Sequence, residues 1–165
     1  MSVKTDLTIR FHAKEEEDND LGDSRLVQLL ELTKFYPSGT GASQFDVVYG
    51  DSGSAAGSAV SVDLLGSLTS VLTGAAISFV ELCGIVIRNK STTSTEVLTI
   101  GGGSNPVVGL WGASGDAIKV GPGGVFVWFD PIDGVSPIAG TGDLLAIDPG
   151  SDTIAYDLLL LGRSA

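Results

Sequence analysis

The alternation of hydrophobic and polar residues is most regular at the start of the chain, between Val3 and Ala13. A period of two indicates a β-strand with one buried face. This strand either packs on its own domain or forms an arm that adds to a sheet edge of a neighbouring subunit. The positions of one face are Val3, Thr5, Leu7, Ile9, Phe11 and Ala13, and those of the other are Lys4, Asp6, Thr8, Arg10 and His12.

The acidic run Glu15 to Asp20 follows this strand and is predicted to be an exposed loop. It lacks the alternating spacing and the glycine of a calcium-binding loop. The segment from Ser24 to Tyr36 fits either a short helix capped by Asp23 or a strand ending at Pro37, and we favour the strand. The sequence thus predicts an N-terminal strand or arm with an acidic loop over residues 1–20, and one β-sandwich domain over 21–165.

The most apolar part of the chain, Leu82 to Ile100, is rich in β-branched residues around a polar centre. The centre begins at Arg88-Asn89-Lys90 and continues with Ser and Thr, which favour turns. This pattern predicts a β-hairpin. A hairpin is marginally stable alone, so a second sheet is expected to cover it.

About nine short strands separated by turn residues, with no long helical pattern, indicate an all-β fold. We predict an antiparallel β-sandwich of the jelly-roll or immunoglobulin kind. A Gly-containing loop is predicted between two of these strands, at Gly50 to Gly57. The other predicted strands are Gln44 to Tyr49, Ala59 to Leu65, Ala75 to Val80, Ile118 to Val120, Val125 to Phe129, Leu144 to Ile147 and Ile154 to Leu161.

Charge and hydropathy bear on the partners of this domain. Nine basic and twenty acidic residues give a net charge of −11, which disfavours nucleic-acid binding. The mean hydropathy is +0.32, and the part after residue 32 is poor in charge, so much of its surface is expected to be covered by copies of itself, as a dimer or trimer, or by a partner. No secretory signal is recognised, and Leu64 to Ile87 is interpreted as consecutive buried strands and not as a membrane span.

Candidate chemistry is sparse, and no enzyme, cofactor or metal site is predicted. The single histidine, His12, falls on the polar side of the first strand, and the single cysteine, Cys83, falls in an apolar run. Several aspartates lie in turns, where Asp is an ordinary residue. Trp111 and Trp128 could form a sugar-stacking platform with Phe129, although core or subunit packing is the commoner use of such residues.

Residues 37–165 carry turn and strand signatures that resemble a group of small structural proteins of tailed bacteriophages and prophages. The signatures are Gly39 to Gln44, Val62 to Thr69, Ile85 to Asn89, Thr99 to Gly102, Ser104 to Pro106, Pro122 to Val125, Ala139 to Asp143 and Tyr156 to Ala165. The resemblance implies a virion component made in the host cytoplasm. The first strand and the acidic run lie outside it.

The resemblance leads to the hypothesis of a capsid decoration or cement protein on the outer surface of the shell, where it would bridge subunits of the major capsid protein. The partner-binding residues expected from the sequence are Val3, Leu7, Ile9, Phe11 and Trp111. A tail, baseplate or fibre-adaptor subunit is a second structural hypothesis. A carbohydrate-binding module using Trp111 and Trp128 is a third, from a different functional class.

Overall fold

A computed structural model describes residues 3–19, 22–66 and 68–165, with only the backbone at 16–19 and 22–25. Its strands and its one short helix are β1 (Thr5–Asn19), β2 (Gly22–Tyr36), β3 (Val47–Ala56), β4 (Val60–Asp63), β5 (Leu68–Thr69), β6 (Ala76–Ile77), β7 (Glu81–Asn89), β8 (Leu98–Gly101), α1 (Val108–Trp111), β9 (Ala117–Val120), β10 (Val125–Phe129), β11 (Leu144–Asp148) and β12 (Thr153–Arg163).

Two four-stranded sheets form the body, in the orders β10-β7-β12-β3 and β4-β11-β8-β9. Each strand pair in these sheets is antiparallel. The predicted all-β antiparallel sandwich is therefore confirmed, whereas its jelly-roll connectivity stays a prediction. The strands β5 and β6 form a separate two-residue pair, and β1 and β2 form a hairpin of their own.

The core lies between the two sheets because alternate residues of their strands point inward. In β12 the inward positions include Ile154, Leu158 and Leu160, which are buried while Ala155 and Leu159 between them are exposed. Ile100 and Ile147 of the facing sheet belong to the same buried cluster. Full burial of one such aliphatic side chain contributes about 1.5–3 kcal/mol.

The predicted hairpin over Leu82 to Ile100 is wrong in its pairing. Both apolar segments are strands, but β7 lies in one sheet and β8 in the other, so the polar connection crosses the end of the sandwich. Asn89, predicted in the turn, is the buried last residue of β7. Its Nδ2 donates to the carbonyl oxygens of Glu96 at 2.9 Å and Val120 at 3.0 Å, which ties the two sheets together.

The predicted loop over Gly50 to Gly57 is also wrong, because β3 continues to Ala56. Its register runs from Gly162 opposite Val47 to Thr153 opposite Ala56. The long strand β12 supplies hydrogen-bond partners along this whole length. Pairing with a distant strand thus overrides the low β-propensity of a Gly- and Ser-containing segment.

The acidic run was predicted as a loop, yet residues 15–19 continue β1, while Asp20 lies outside the described residues. The preferred strand interpretation of Ser24 to Tyr36 is confirmed as β2, whose partner is β1. The boundary predicted between residues 20 and 21 therefore falls between the two strands of one hairpin. The predicted division of the chain at that point stays a prediction. Sheet pairing groups β1 with β2 in a hairpin arm and places the four-stranded sheets in the sandwich body.

Candidate assembly surface

The hairpin arm is formed by two strands of fifteen residues each, which pair only with one another among the residues that the structure describes. Their register is continuous from Thr5 opposite Tyr36 to Asn19 opposite Gly22. At about 3.3 Å per residue, such a ribbon is roughly 50 Å long. It is therefore long enough to contact a neighbouring molecule well away from the sandwich.

One side of the arm is mostly apolar. Directly opposed residues of an antiparallel pair project to the same face, and most of the opposed pairs on this side contain hydrophobic residues. Ile9 is opposite Leu32, and Phe11 is opposite Leu30. We call this side the apolar face; its hydrophobic members are Leu7, Ile9, Phe11, Ala13, Leu26, Leu30 and Leu32.

The apolar face is exposed between Leu32, which lies opposite Ile9, and Leu26, which lies opposite Glu15. Phe11 is 68% exposed and Leu30 opposite it is 65% exposed, and Leu26 and Leu32 are also exposed. Single exposed hydrophobic residues are ordinary, but a contiguous patch marks a surface that binds a partner. A two-stranded ribbon is also marginally stable in water, so covering this face would stabilise the arm itself.

The other side of the arm carries most of its polar contacts. The hydroxyl oxygens of Thr8 and Thr33 lie 3.5 Å apart, and Arg10 Nε lies 3.7 Å from a carboxylate oxygen of Glu31. Phe35 is exposed on this side as well. These contacts are solvent-accessible, so they orient the ribbon more than they stabilise it.

Aromatic packing fixes the base of the arm to the sandwich. The ring centroid of Tyr36 lies 5.1 Å from that of Phe45 and 5.3 Å from that of Phe129. Phe129 fits because it packs over Gly84, where an added Cβ would lie 2.9 Å from its ring. The backbone N–H of Val3 also donates to Ser38 Oγ at 3.3 Å. We call each pair of opposed residues of β1 and β2 a rung. The first rungs of the ribbon are thus held in place.

A cleft of about 290 Å³ lies where the base of the arm meets the outer face of the sheet β10-β7-β12-β3. Val86, Val127 and Leu159 line its floor, and Val3 to Leu7 line its side. Val127 and Leu159 are exposed beyond it. The apolar face of the arm and this outer sheet face therefore adjoin.

Four of the five partner-binding residues predicted from the sequence lie on the arm or at its base. Val3 is buried, Leu7 and Ile9 are half-buried, and Phe11 is exposed. Trp111 lies elsewhere, half-buried against the core with its ring 5.8 Å from that of Phe126. The sequence reasoning missed Leu26, Leu30 and Leu32, which only the pairing of β2 with β1 brings onto the apolar face.

The side chains considered as catalytic or binding groups are exposed, packed against the core or hydrogen-bonded within turns. His12 is exposed on the arm, as predicted. Asp130, Asp143 and Asp148 accept hydrogen bonds from backbone N–H groups of their own turns. Trp128 packs against the core. Within the described part of the chain, no group of three or more His, Cys, Asp or Glu side chains has the arrangement needed to hold a metal ion.

Cys83 provides a pH-dependent test of burial at the base of the arm. Burial raises the pKa of its thiol from 9.0 to about 11, so the folded state favours the protonated form. A shift of two units lowers the thiolate fraction about a hundredfold, and alkylation of the native protein near pH 8 should slow accordingly. The contribution of the protonated thiol to the free energy of unfolding is fully present below pH 9 and is lost as the pH rises towards 11.

Thiol labelling with and without denaturant, combined with chemical unfolding at pH 8 and pH 10, measures both effects. Tyr156 should act in the same direction at still higher pH, because burial raises the pKa of its phenol from 10.0 to about 12. Rapid labelling of Cys83 in the native protein would show that the aromatic cluster opens readily.

No family model, no curated protein and no solved structure matches the chain. Among the residues that the structure describes, no helix has the length and hydropathy needed to span a bilayer.

Proposed function

We propose that the protein is a non-enzymatic subunit of a larger assembly, and specifically a capsid decoration protein of a tailed bacteriophage. The observation that carries the proposal is the exposed apolar face of the hairpin arm, centred on Phe11 and Leu30. A soluble domain that keeps such a ribbon uncovered gains stability only when another surface covers it. The resemblance of residues 37–165 to small virion proteins supplies the kind of assembly.

The size of the arm suits a stabilising contact that is repeated many times. One face about 50 Å long and two strands wide covers roughly 500 Å². If half of that area is apolar and leaves water, its burial contributes on the order of 6 kcal/mol before the costs of association. A modest contact of this size, repeated over a shell with the major capsid protein beneath it, would hold neighbouring subunits together. The exposed valines and leucine of the adjoining sheet face would add to it.

The test uses particles produced in cells that carry the gene, with heads and tails separated and analysed by quantitative mass spectrometry. We expect the full chain in heads, at a copy number near that of the shell subunit. Phe11→Asp should remove it, because a carboxylate would be buried without a partner. Leu29→Asp is the matched control, since Leu29 is exposed on the opposite side of the arm.

Two results would overturn the proposal. Recovery of the chain only with tails would favour the tail or baseplate hypothesis. Equal incorporation of Phe11→Asp and the unchanged protein into heads would show that the apolar face does not make the contact.

A further inference from the structure

We propose that the apolar face of the arm is covered by the same face of a second copy, with the two arms packed antiparallel about a two-fold axis. This inference rests on the proposed function in one respect, that the arm is an assembly element. A two-fold interface must be self-complementary, because both copies contribute the same surface. If one residue contacts a second residue of the partner, that second residue contacts the partner's copy of the first. The apolar face can therefore be examined for complementarity with itself.

The charges of the apolar face are complementary when the axis passes through the pair Phe11 and Leu30. Counting rungs outward from this axis, the second rung towards the base holds Leu7 and Lys34, and the second towards the tip holds Glu15 and Leu26. The two-fold rotation superimposes one on the other. Leu7 then lies opposite the partner's Glu15, and Lys34 lies opposite the partner's Leu26. Lys34 and the partner's Glu15 are therefore diagonal neighbours across one rung, and their long side chains can form two symmetric ion pairs.

The sizes of the side chains are complementary as well. The first rung towards the base, Ile9 and Leu32, meets the first towards the tip, Ala13 and Gln28. Ile9 then lies opposite the partner's small Ala13, and Leu32 lies opposite the partner's Gln28. A hollow of about 150 Å³ lies there, lined by Ala13, Lys14, Glu15, Leu26 and Gln28. A cavity of this volume accommodates a group about the size of benzene, so it can receive an aliphatic side chain of the partner.

The net charge of the protein favours the antiparallel direction over the parallel one. The described part of the acidic run, residues 15–18, lies in the outer part of β1. Parallel arms would place the two runs side by side. In the antiparallel arrangement the outer ends are about 50 Å apart, several Debye lengths at physiological salt, so their repulsion is screened.

The area of the contact places it among weak, reversible interfaces. Two faces of roughly 500 Å² bury about 1,000 Å² in total, near the lower bound for specific interfaces. A dimer that forms reversibly is therefore expected. The outer face of the sheet β10-β7-β12-β3 lies outside this contact and would bind the shell, so each pair of copies would hold the shell through two sheet faces. Phe11→Asp would then lower incorporation into heads because a single copy holds the shell through only one.

The experiment measures the association of the purified full chain by sedimentation equilibrium over a micromolar concentration series. The unchanged protein and Leu29→Asp should dimerise, and Phe11→Asp should be monomeric. Lys34→Glu and Glu15→Lys should each weaken association about tenfold or more, because each replaces two attractions by two repulsions. Their combination should restore it. Circular dichroism spectra matching that of the unchanged protein establish that each variant is folded.

The combined variant is the decisive measurement, because Lys34 also lies 5.2 Å from the centre of its own Tyr36 ring. If loss of that contact alone explained the weaker association of Lys34→Glu, adding Glu15→Lys would not restore the association. Failure of the restoration, or a monomeric unchanged protein, overturns the pairing of arms. A monomer that still enters heads through Phe11 would contradict only this inference, and a dimer missing from particles would contradict only the proposed function.

Discussion

Replacing Arg163 by alanine is expected to lower the free energy of unfolding by about 3–5 kcal/mol, because it removes a buried guanidinium and leaves Glu81 and four partly buried carbonyl oxygens without their donor. Arg163 is 2% exposed and forms an ion pair with Glu81. Its guanidinium also donates to four backbone carbonyl oxygens at 3.0–3.3 Å, those of Gly41, Pro131, Ile132 and Asp133. Chemical denaturation measures the loss.

The geometry of the guanidinium, and not only its charge, should carry this stability. Arg163→Lys keeps the charge beside Glu81 but cannot supply donors to carbonyls on both sides, so it should be nearly as destabilising as alanine. Arg88→Ala is the matched control, since Arg88 is exposed on the neighbouring strand β7, and its denaturation midpoint should change little. An unchanged midpoint for Arg163→Ala would show that water satisfies the same carbonyls.

Local patterns predict the strands of the sandwich well, because alternation and turn residues act within a few positions. The strand β10 has the predicted bounds, Val125–Phe129, and β11 and β12 differ from prediction by one or two residues at an end. Sheet partners are not local. Whether Leu82 to Asn89 pairs with Leu98 to Gly101 or faces it across the core depends on β10 and β12, which the segment itself does not encode.

The apolar face of the arm was half predictable for the same reason. Alternation alone places Ile9 and Phe11 on one face of the first strand. Placing Leu30 and Leu32 beside them requires the register between β1 and β2. The sequence signal for that register is the group of Asn, Asp and Gly residues from Asn19 to Asp23, which are typical of tight turns, between two segments of similar length. Because the acidic run was predicted to be a loop, this turn signal was not recognised.

The arm can act as an assembly element only if its base is rigid. Tyr36 on β2, Phe45 before β3 and Phe129 at the end of β10 meet there, with Phe45 and Phe129 centroids 5.6 Å apart. Tyr36 and Phe45 lie at either end of the segment that joins β2 to β3, and Phe129 comes from a distant part of the chain. Their packing therefore fixes the orientation of the first rungs of the ribbon relative to the sandwich.

Phe45→Ala is accordingly expected to lower the free energy of unfolding by about 3–5 kcal/mol, the usual cost of emptying a buried aromatic site. Phe45 is completely buried, and its neighbours Tyr36 and Phe129 are held by the ends of strands that cannot easily collapse into the space. The arm should loosen as well. Hydrogen exchange should become faster at the rungs near Thr5 and Tyr36 than in the sandwich core.

Phe35→Ala separates this effect from the general loss of a phenylalanine. Phe35 precedes Tyr36 on the same strand but is 72% exposed, so its removal should change stability by no more than about 0.5 kcal/mol. Equal effects of the two substitutions would mean that the aromatic cluster does not anchor the arm. Greater loss for Phe45→Ala, with faster exchange confined to the base, would locate the anchor there and explain how a ribbon about 50 Å long keeps one direction.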